Sequence, residues 1–265
     1  MKFSVLNFEI IENVAVIKLN NPPVNAMTPD FLGDFEKLLE IMGKTGGIRS
    51  TVIASNCPGF FSAGDDITKL KDIDEDMVAL LPRVHSMMNA LESLPVPTVA
   101  AINGHALGGG LELALACDFR FMGDNSGRIG LPEVRLGMIP AFGGTQRLPL
   151  VVGKPKAIEM MYKGLQITPE EAKVIGLIND IFPQDKLFEM SFDYARRLAR
   201  QATGAIAKIK KCVHIGLCEG FEKGLLAEQA AFKENIFTAD AKEGVDAFLS
   251  NRKPEFTGEF TKKTN

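Results

Sequence analysis

Polar residues punctuate Phe3-Ser4-Val5-Leu6-Asn7-Phe8, Val14-Ala15-Val16-Ile17-Lys18-Leu19 is a β-branched apolar run, and together they predict a hairpin of two strands across residues 3–20. Asn21-Pro22-Pro23 breaks that pattern, and Thr28-Pro29-Asp30 then predicts a helix start, with an N-cap hydroxyl and proline at the first helical position. Phe31, Phe35, Leu38, Leu39 and Met42 keep one apolar face through that helix. A β-branched run at 50–54 predicts the next strand, residues 77–93 read as a helix, and Thr98-Val99-Ala100-Ala101-Ile102 as another strand. Strands and helices alternating at these spacings imply right-handed crossovers on a largely parallel sheet, an α/β class.

After residue 150 the pattern is almost wholly helical apart from residues 177–182. Thr168-Pro169-Glu170-Glu171 reads as a capping box, and amphipathic stretches follow at about 184–201, 203–215, 219–236 and 240–251. The chain therefore divides into an α/β core at 1–200 and a helical region at 201–265. No internal repeat is visible.

Composition narrows the function more by exclusion than by pointing. A hydrophobic fraction of 46% and a charged fraction of 24% are those of a folded soluble protein. With a net charge of −3 there is no global basic field to draw nucleic acid, and Lys208, Lys210 and Lys211 read as a solvated helix edge. Cys57, Cys117, Cys212 and Cys218 show no metal-ligand spacing, and His85, His105 and His214 share none, so no metal is expected and the histidines read as structural. The most apolar window, 98–117, carries Asn103, His105 and Glu112 among its glycines and is a poor membrane span. A cytoplasmic location is expected.

The chemistry concentrates in that same window. Gly104-His105-Ala106-Leu107-Gly108-Gly109-Gly110 lies between the Thr98 strand and the helix-forming run Leu111-Glu112-Leu113-Ala114-Leu115-Ala116. Amides at a helix N-terminus lack intrahelical partners and carry partial positive charge, so they suit an anionic oxygen, and glycine lets a ligand approach the backbone. Glu112 sits three residues beyond Gly109, about 4–5 Å further along the helix axis. A second acid, Glu133, falls in the turn-like Gly130-Leu131-Pro132-Glu133. The glycine spacing also fits a dinucleotide-binding turn. Against that reading, the turn comes late in the chain, Glu112 would put negative charge beside a pyrophosphate, and neither Tyr162 nor Tyr194 has a lysine four residues on. No Gly-x-Ser-x-Gly elbow supports a serine nucleophile.

Three segments in order, Phe60-Phe61-Ser62-Ala63-Gly64-Asp65-Asp66-Ile67, Asn103 to Asp118, and Leu131-Pro132-Glu133 continuing to Gly143-Gly144-Thr145-Gln146-Arg147, resemble the crotonase family, the enoyl-CoA hydratase/isomerase group, over essentially the whole chain. The resemblance implies a repeated β-β-α core with a C-terminal helical trimerisation region, assembled as a homotrimer or as a hexameric dimer of trimers. It implies an acyl-CoA thioester substrate, with coenzyme A as part of the substrate and no separate cofactor. The family's oxyanion hole is carried over to the backbone amides of Asp65 and Gly109, and its two catalytic glutamates to Glu112 and Glu133. Glu112 is then expected to activate water and Glu133 to deliver the α-carbon proton. Substrate-binding positions implied in the same way are Ala63, Gly64, Ile67, Lys69 and Gly108, with Phe248 and Lys253 from the C-terminal helix of the same or a neighbouring subunit.

Two departures matter. Where many members place a basic residue before the first proline of the Asn-Pro segment, this chain has Asn21, which leaves Lys69 and Lys71 as candidates for the CoA phosphates. The family's isomerases generally lack the acid matching Glu112, so hydration of a 2-enoyl-CoA, as in β-oxidation of fatty acids, is the expected reaction and double-bond migration its alternative.

Overall fold

The computed structural model describes residues 3–65 and 78–258. Strands β1 (Leu6–Ile11) and β2 (Val14–Leu19) form the expected hairpin, paired antiparallel from Leu6↔Leu19 to Ile11↔Val14. Helix α1 (Pro29–Lys44) starts where the sequence marks it, with Thr28 Oγ1 accepting from Phe31 N at 3.3 Å. Then come β3 (Ser50–Ser55), β4 (Phe60–Ser62), α2 (Leu81–Glu92), β5 (Thr98–Ile102), β6 (His105–Leu107), α3 (Gly109–Leu115), β7 (Phe119–Gly123) and β8 (Ile129–Gly130). A 3-10 turn at Glu133–Leu136 precedes α4 (Gly144–Val152), α5 (Lys154–Lys163), β9 (Gln166–Ile167), α6 (Pro169–Val174) and β10 (Asp180–Phe182). Four helices close the chain: α7 (Leu187–Ala199), α8 (Thr203–Glu219), α9 (Phe221–Asn235) and α10 (Ala239–Leu249).

Among the described residues the strands make two sheets. One runs β1-β2-β3-β5-β7-β10, parallel except for the hairpin, as the crossover pattern predicts. Its central strands β2, β3 and β5 are buried on both faces, so alternate residues enter different cores. Ala15, Ile17 and Leu19 of β2 join α1, α2 and α3 in the main core, while Val14 and Val16 face Leu187, Ala195 and Ala199 of α7.

The second sheet, β4-β6-β8-β9, is absent from the sequence reading. Strands of two or three residues show no period, and β6 occupies what reads as an uninterrupted glycine-rich turn. This small sheet sets the site, because β4, β6 and β8 run parallel and place Ser62, Ala106 and Ile129 side by side, one residue short of Leu107 and Gly130. Glycine makes that approach feasible. A Cβ on Gly104 would lie 2.0 Å from Gly59 C, and one on Gly110 would lie 2.2 Å from Ser62 O.

Lys210 corrects another expectation. Instead of lying on a solvated edge, its Nζ reaches from α8 to Asp118 Oδ2 at 2.9 Å, and the same oxygen accepts from Thr98 N at 2.8 Å. This ion pair pins the terminal helices to the end of β5. α8 and α9 fold back on each other at Gly216 and Gly224, where a Cβ on Gly224 would stand 2.8 Å from Gly216 Cα.

Gly110→Ala is expected to lower the urea midpoint by an amount corresponding to about 2–3 kcal/mol, since the methyl must push β4 away from α3. Gly46→Ala, which meets nothing within 4 Å, is expected to shift stability by less than about 0.5 kcal/mol. Similar midpoints for the two variants would contradict the close packing.

Candidate active site

Gly108 is the pivot of the site. It takes φ 53° and ψ −127°, a conformation open to glycine, and turns the chain from β6 into α3. Glu112 N donates to Gly108 O at 3.0 Å, which starts the helix and points the Glu112 side chain inward. On the other side, Glu133 Oε1 lies 3.1 Å from where a Cβ of Gly108 would be. The Glu133 carboxylate therefore stands at the glycine whose carbonyl receives the Glu112 amide, and its charge acts on the Glu112 carboxyl.

Glu112 is 2% exposed. Its Oε1 accepts from Phe142 N at 2.8 Å and from Gly144 N at 2.6 Å, and Gly144 is the first residue of α4. Burial disfavours the carboxylate, whereas two amides at a helix N-terminus favour it. Burial wins: with the charges of Glu133 and Asp65 acting in the same sense, the carboxyl is pushed up to about 7. Glu133, at the start of the 3-10 turn, is half-buried and also raised, first by burial and then by Asp65. Its Oε2 is buried without a hydrogen-bond partner among the described residues. Two raised acids side by side favour holding one proton between them, the arrangement a proton donor and acceptor require.

The chain carrying the Asp65 amide lies against the Gly109 amide. Gly64, at φ 83°, packs so that a Cβ would stand 2.8 Å from both Gly109 N and Leu107 O. Gly64 O is tied by Met27 N at 2.9 Å and Gly64 N by Ser62 Oγ at 3.1 Å, which fixes this approach. Gly109 begins α3, so its N–H has no intrahelical acceptor. Met27 Sδ and the Phe142 ring crowd it, at 3.0 and 2.9 Å from where a Cβ would lie, inside ordinary van der Waals contact.

Of the other residues expected from sequence, Ala63 belongs to this segment, its N–H bonded to Val24 O at 2.9 Å. Ile67 and Lys69, like Lys71, lie outside the described residues. Phe248 and Lys253 are not brought to the glutamates in this chain. Phe248 is 84% exposed and lines a separate cavity of about 500 Å³ with Asn235, Asp240 and Phe256, and Lys253 is exposed beyond the end of α10. Asn21 is engaged internally: its backbone N–H donates to Asn25 Oδ1 and its side-chain Nδ2 to Ala26 O, each at 2.8 Å.

Sequence reasoning missed the groups that hold Glu112. Phe142 and Gly144 act through backbone amides, which side-chain patterns do not reveal; the paired glycines Gly143-Gly144 were the available signal. A Cβ on Gly144 would fall 2.9 Å from Glu112 Oε1. Among the described residues no cluster of His, Cys, Asp and Glu could hold a metal, and no helix is long and apolar enough to cross a membrane.

Residues 9–259 match the enoyl-CoA hydratase/isomerase family, and the chain belongs to that family, also called the crotonase family. It is similar to a probable enoyl-CoA hydratase of Bacillus subtilis (strain 168), 37% identical over 97% of this chain and 100% of that protein. It is also similar to the 2,3-dehydroadipyl-CoA hydratase of Escherichia coli (strain K12), 36% identical over 93% of this chain and 96% of that one. Among solved structures, an enoyl-CoA hydratase from Geobacillus kaustophilus HTA426 superposes with a TM-score of 0.94 at 36% identity, covering 98% of each chain. The α/β fold with its helical C-terminal region is thus the crotonase fold.

The raised carboxyl of Glu112 has a consequence for stability. A folded-state value above the unfolded one stabilises fully below about pH 4.5, and that contribution is lost as pH rises through about 7. Glu112→Gln keeps an oxygen for the two amides but carries no charge. It is expected to be more stable than the wild type at pH 8 by on the order of 1–3 kcal/mol, with the difference vanishing near pH 4. Equal denaturant midpoints at both pH values would show that Glu112 is not strained by burial.

Proposed function

We propose that this protein is an enoyl-CoA hydratase, adding water across the 2,3 double bond of an enoyl-CoA thioester. The observation that carries the reading is a buried Glu112 that feels the charge of Glu133, whose carboxylate stands at Gly108, beside the approach of the Asp65 segment to Gly109. The thioester oxygen is held by the amides of Asp65 and Gly109, which stabilise the enolate formed during addition. One such donor is typically worth about 3 kcal/mol of barrier. Without it a carboxylic acid is a poor match for chemistry at a thioester α-carbon.

Glu112 takes a proton from the water as its oxygen bonds to C3, and the C2=C3 electron pair moves to the thioester oxygen. The enolate then collapses as Glu133 delivers a proton to C2. The proton count closes: the pair gains one from water and gives one to carbon. Turnover leaves the shared proton on Glu112, and its return to Glu133 resets the pair. The fixed amide contacts to Glu112 Oε1 leave its other oxygen for the water.

Ala63, Gly64 and Gly108 bind the CoA moiety, a role the family resemblance also assigns to Ile67 and Lys69, and no further cofactor or metal takes part. Several relatives are named for CoA thioesters bearing a second carboxylate or a branch, among them the methylglutaconyl-CoA hydratase of Mus musculus, 36% identical over 89% of this chain and 76% of that protein. The acyl group here is therefore sought across short, branched and dicarboxylic enoyl-CoA esters. The protein works in the cytoplasm as a homotrimer or dimer of trimers. In support, α8 and α9 expose Ile209, Val213, Leu217, Phe221, Leu226 and Phe232, a large apolar surface for a lone chain. Phe248 and Lys253 then serve CoA bound to a neighbouring subunit.

Loss of absorbance from the conjugated thioester tests the reading, starting with crotonyl-CoA. Hydration of at least one ester is expected, with Glu112→Gln and Glu133→Gln each lowering kcat by about 10²–10⁴-fold. Binding of CoA esters without hydration of any would overturn the proposal, and migration of the double bond in its place would assign the isomerase reaction.

A further inference from the structure

The loop that grips Glu112 is itself gripped from beneath. Helix α2 turns His85, Asn89 and Glu92, spaced at i, i+4 and i+7 on one side, toward residues 141–147, while Val84, Met87, Met88 and Leu91 fill the core from the other side. His85 Nε2 lies 2.6 Å from Ala141 O. Arg147 Nε and Nη2 donate to Glu92 Oε2 at 2.9 and 2.7 Å, Nη2 also donates to Asn89 Oδ1 at 2.6 Å, and Nη1 donates to Phe142 O at 3.3 Å.

Arg147 is 8% exposed. Its guanidinium occupies the space below Gly143, where a Cβ would come within 2.1 Å of Nη1, and the Gly143 φ of 105° lets the chain turn over it. The two peptide groups above it, at 142 and 144, donate to the same oxygen of Glu112. The guanidinium is planar, permanently charged and held by three bonds to α2, so it fixes direction as well as distance.

We propose that Arg147, locked against Asn89 and Glu92 of α2, is a positioning residue that sets the hold of the Phe142 and Gly144 amides on the catalytic Glu112. It touches neither substrate nor reacting atoms. The role rests on Glu112 acting in hydration, but the hold itself is a property of the free protein and can be read there. Removing the lock lets the loop drift from Oε1, and fewer donated hydrogen bonds favour the protonated form of Glu112. The other charges facing that carboxyl, Glu133 and Asp65, stay in place, and Glu92 and His214, paired at 3.8 Å, lie on the far side of Arg147.

The test uses full-length protein labelled with glutamate carrying 13C in the side-chain carboxyl. The Glu112 signal is assigned by its loss in Glu112→Gln and titrated without substrate in the wild type, Arg147→Lys and Glu92→Gln. Glu92→Gln preserves volume at a partly exposed position, so it covers the event that Arg147→Lys fails to fold. The expected result is an upward displacement of the Glu112 midpoint by about half a unit to one unit in the folded variants. In turnover, kcat is expected to fall by about 10-fold with KM within about 2-fold, and the limb of the pH profile that disappears in Glu112→Gln is expected to move upward likewise. A Glu112 midpoint unchanged in both variants would overturn the positioning role even if the wild type hydrates enoyl-CoA. A shifted midpoint in a protein that hydrates no enoyl-CoA would uphold the hold on Glu112 while removing the proposed reaction.

Discussion

A carboxyl group withdrawn from water and met by two backbone amides is the constraint around which this molecule is arranged. Glu112 has almost no solvent, so its charge is disfavoured, yet Phe142 N and Gly144 N aim at one of its oxygens. Neither effect abolishes the other. The outcome is a group near the middle of the pH scale, able to take and return a proton under the same conditions. A fully solvated glutamate would be too weak a base to do so, and a buried one without amides would stay protonated.

The fold supplies this balance through several elements that have little else in common. β6 and Gly108 set the direction of α3, and α3 carries Glu112 inward. The small sheet brings β4 alongside, so that Gly64 meets Gly109 with no side chain between them. From the opposite direction α4 begins at Gly144, and its N-terminus is directed at the carboxyl. Rigid packing around each element matters because displacements well below the size of a water molecule alter hydrogen bonding at such a site.

Much of this was legible from residue order, and the boundary of legibility has physical reasons. The hairpin, α1, the parallel sheet and the capping box at Thr168 announce themselves because strands buried on both faces read as short apolar, β-branched runs, because the burial of α1 repeats at helical spacing, and because caps need particular side chains. Thr168 Oγ1 does accept from Glu171 N, and Glu171 Oε2 from Thr168 N. β4, β6, β8 and β9 escaped notice because two or three residues carry no period, and their pairing is decided by neighbours far away in the chain. Glu112 stood out as an acid amid alanines and leucines. Glu133 drew attention chiefly through family resemblance, since an acid after Leu-Pro reads equally well as a surface turn. The roles of Asn89, Glu92 and Arg147 were hidden because polar residues on a helix normally face water, and only tertiary structure reveals that a loop covers them. Lys210 illustrates the same blindness, its partner Asp118 lying in another part of the chain.

Family membership fixes the fold more firmly than the reaction, because one scaffold supports several outcomes once an enolate can be held. What separates them is how many acids reach the substrate and where. Water labelled with both 18O and deuterium discriminates most directly. A single round of turnover on an enoyl-CoA ester should give a 3-hydroxyacyl-CoA with one 18O at C3 and one deuterium at C2. A product that has gained deuterium but no oxygen, with its double bond moved along the chain, would contradict the account.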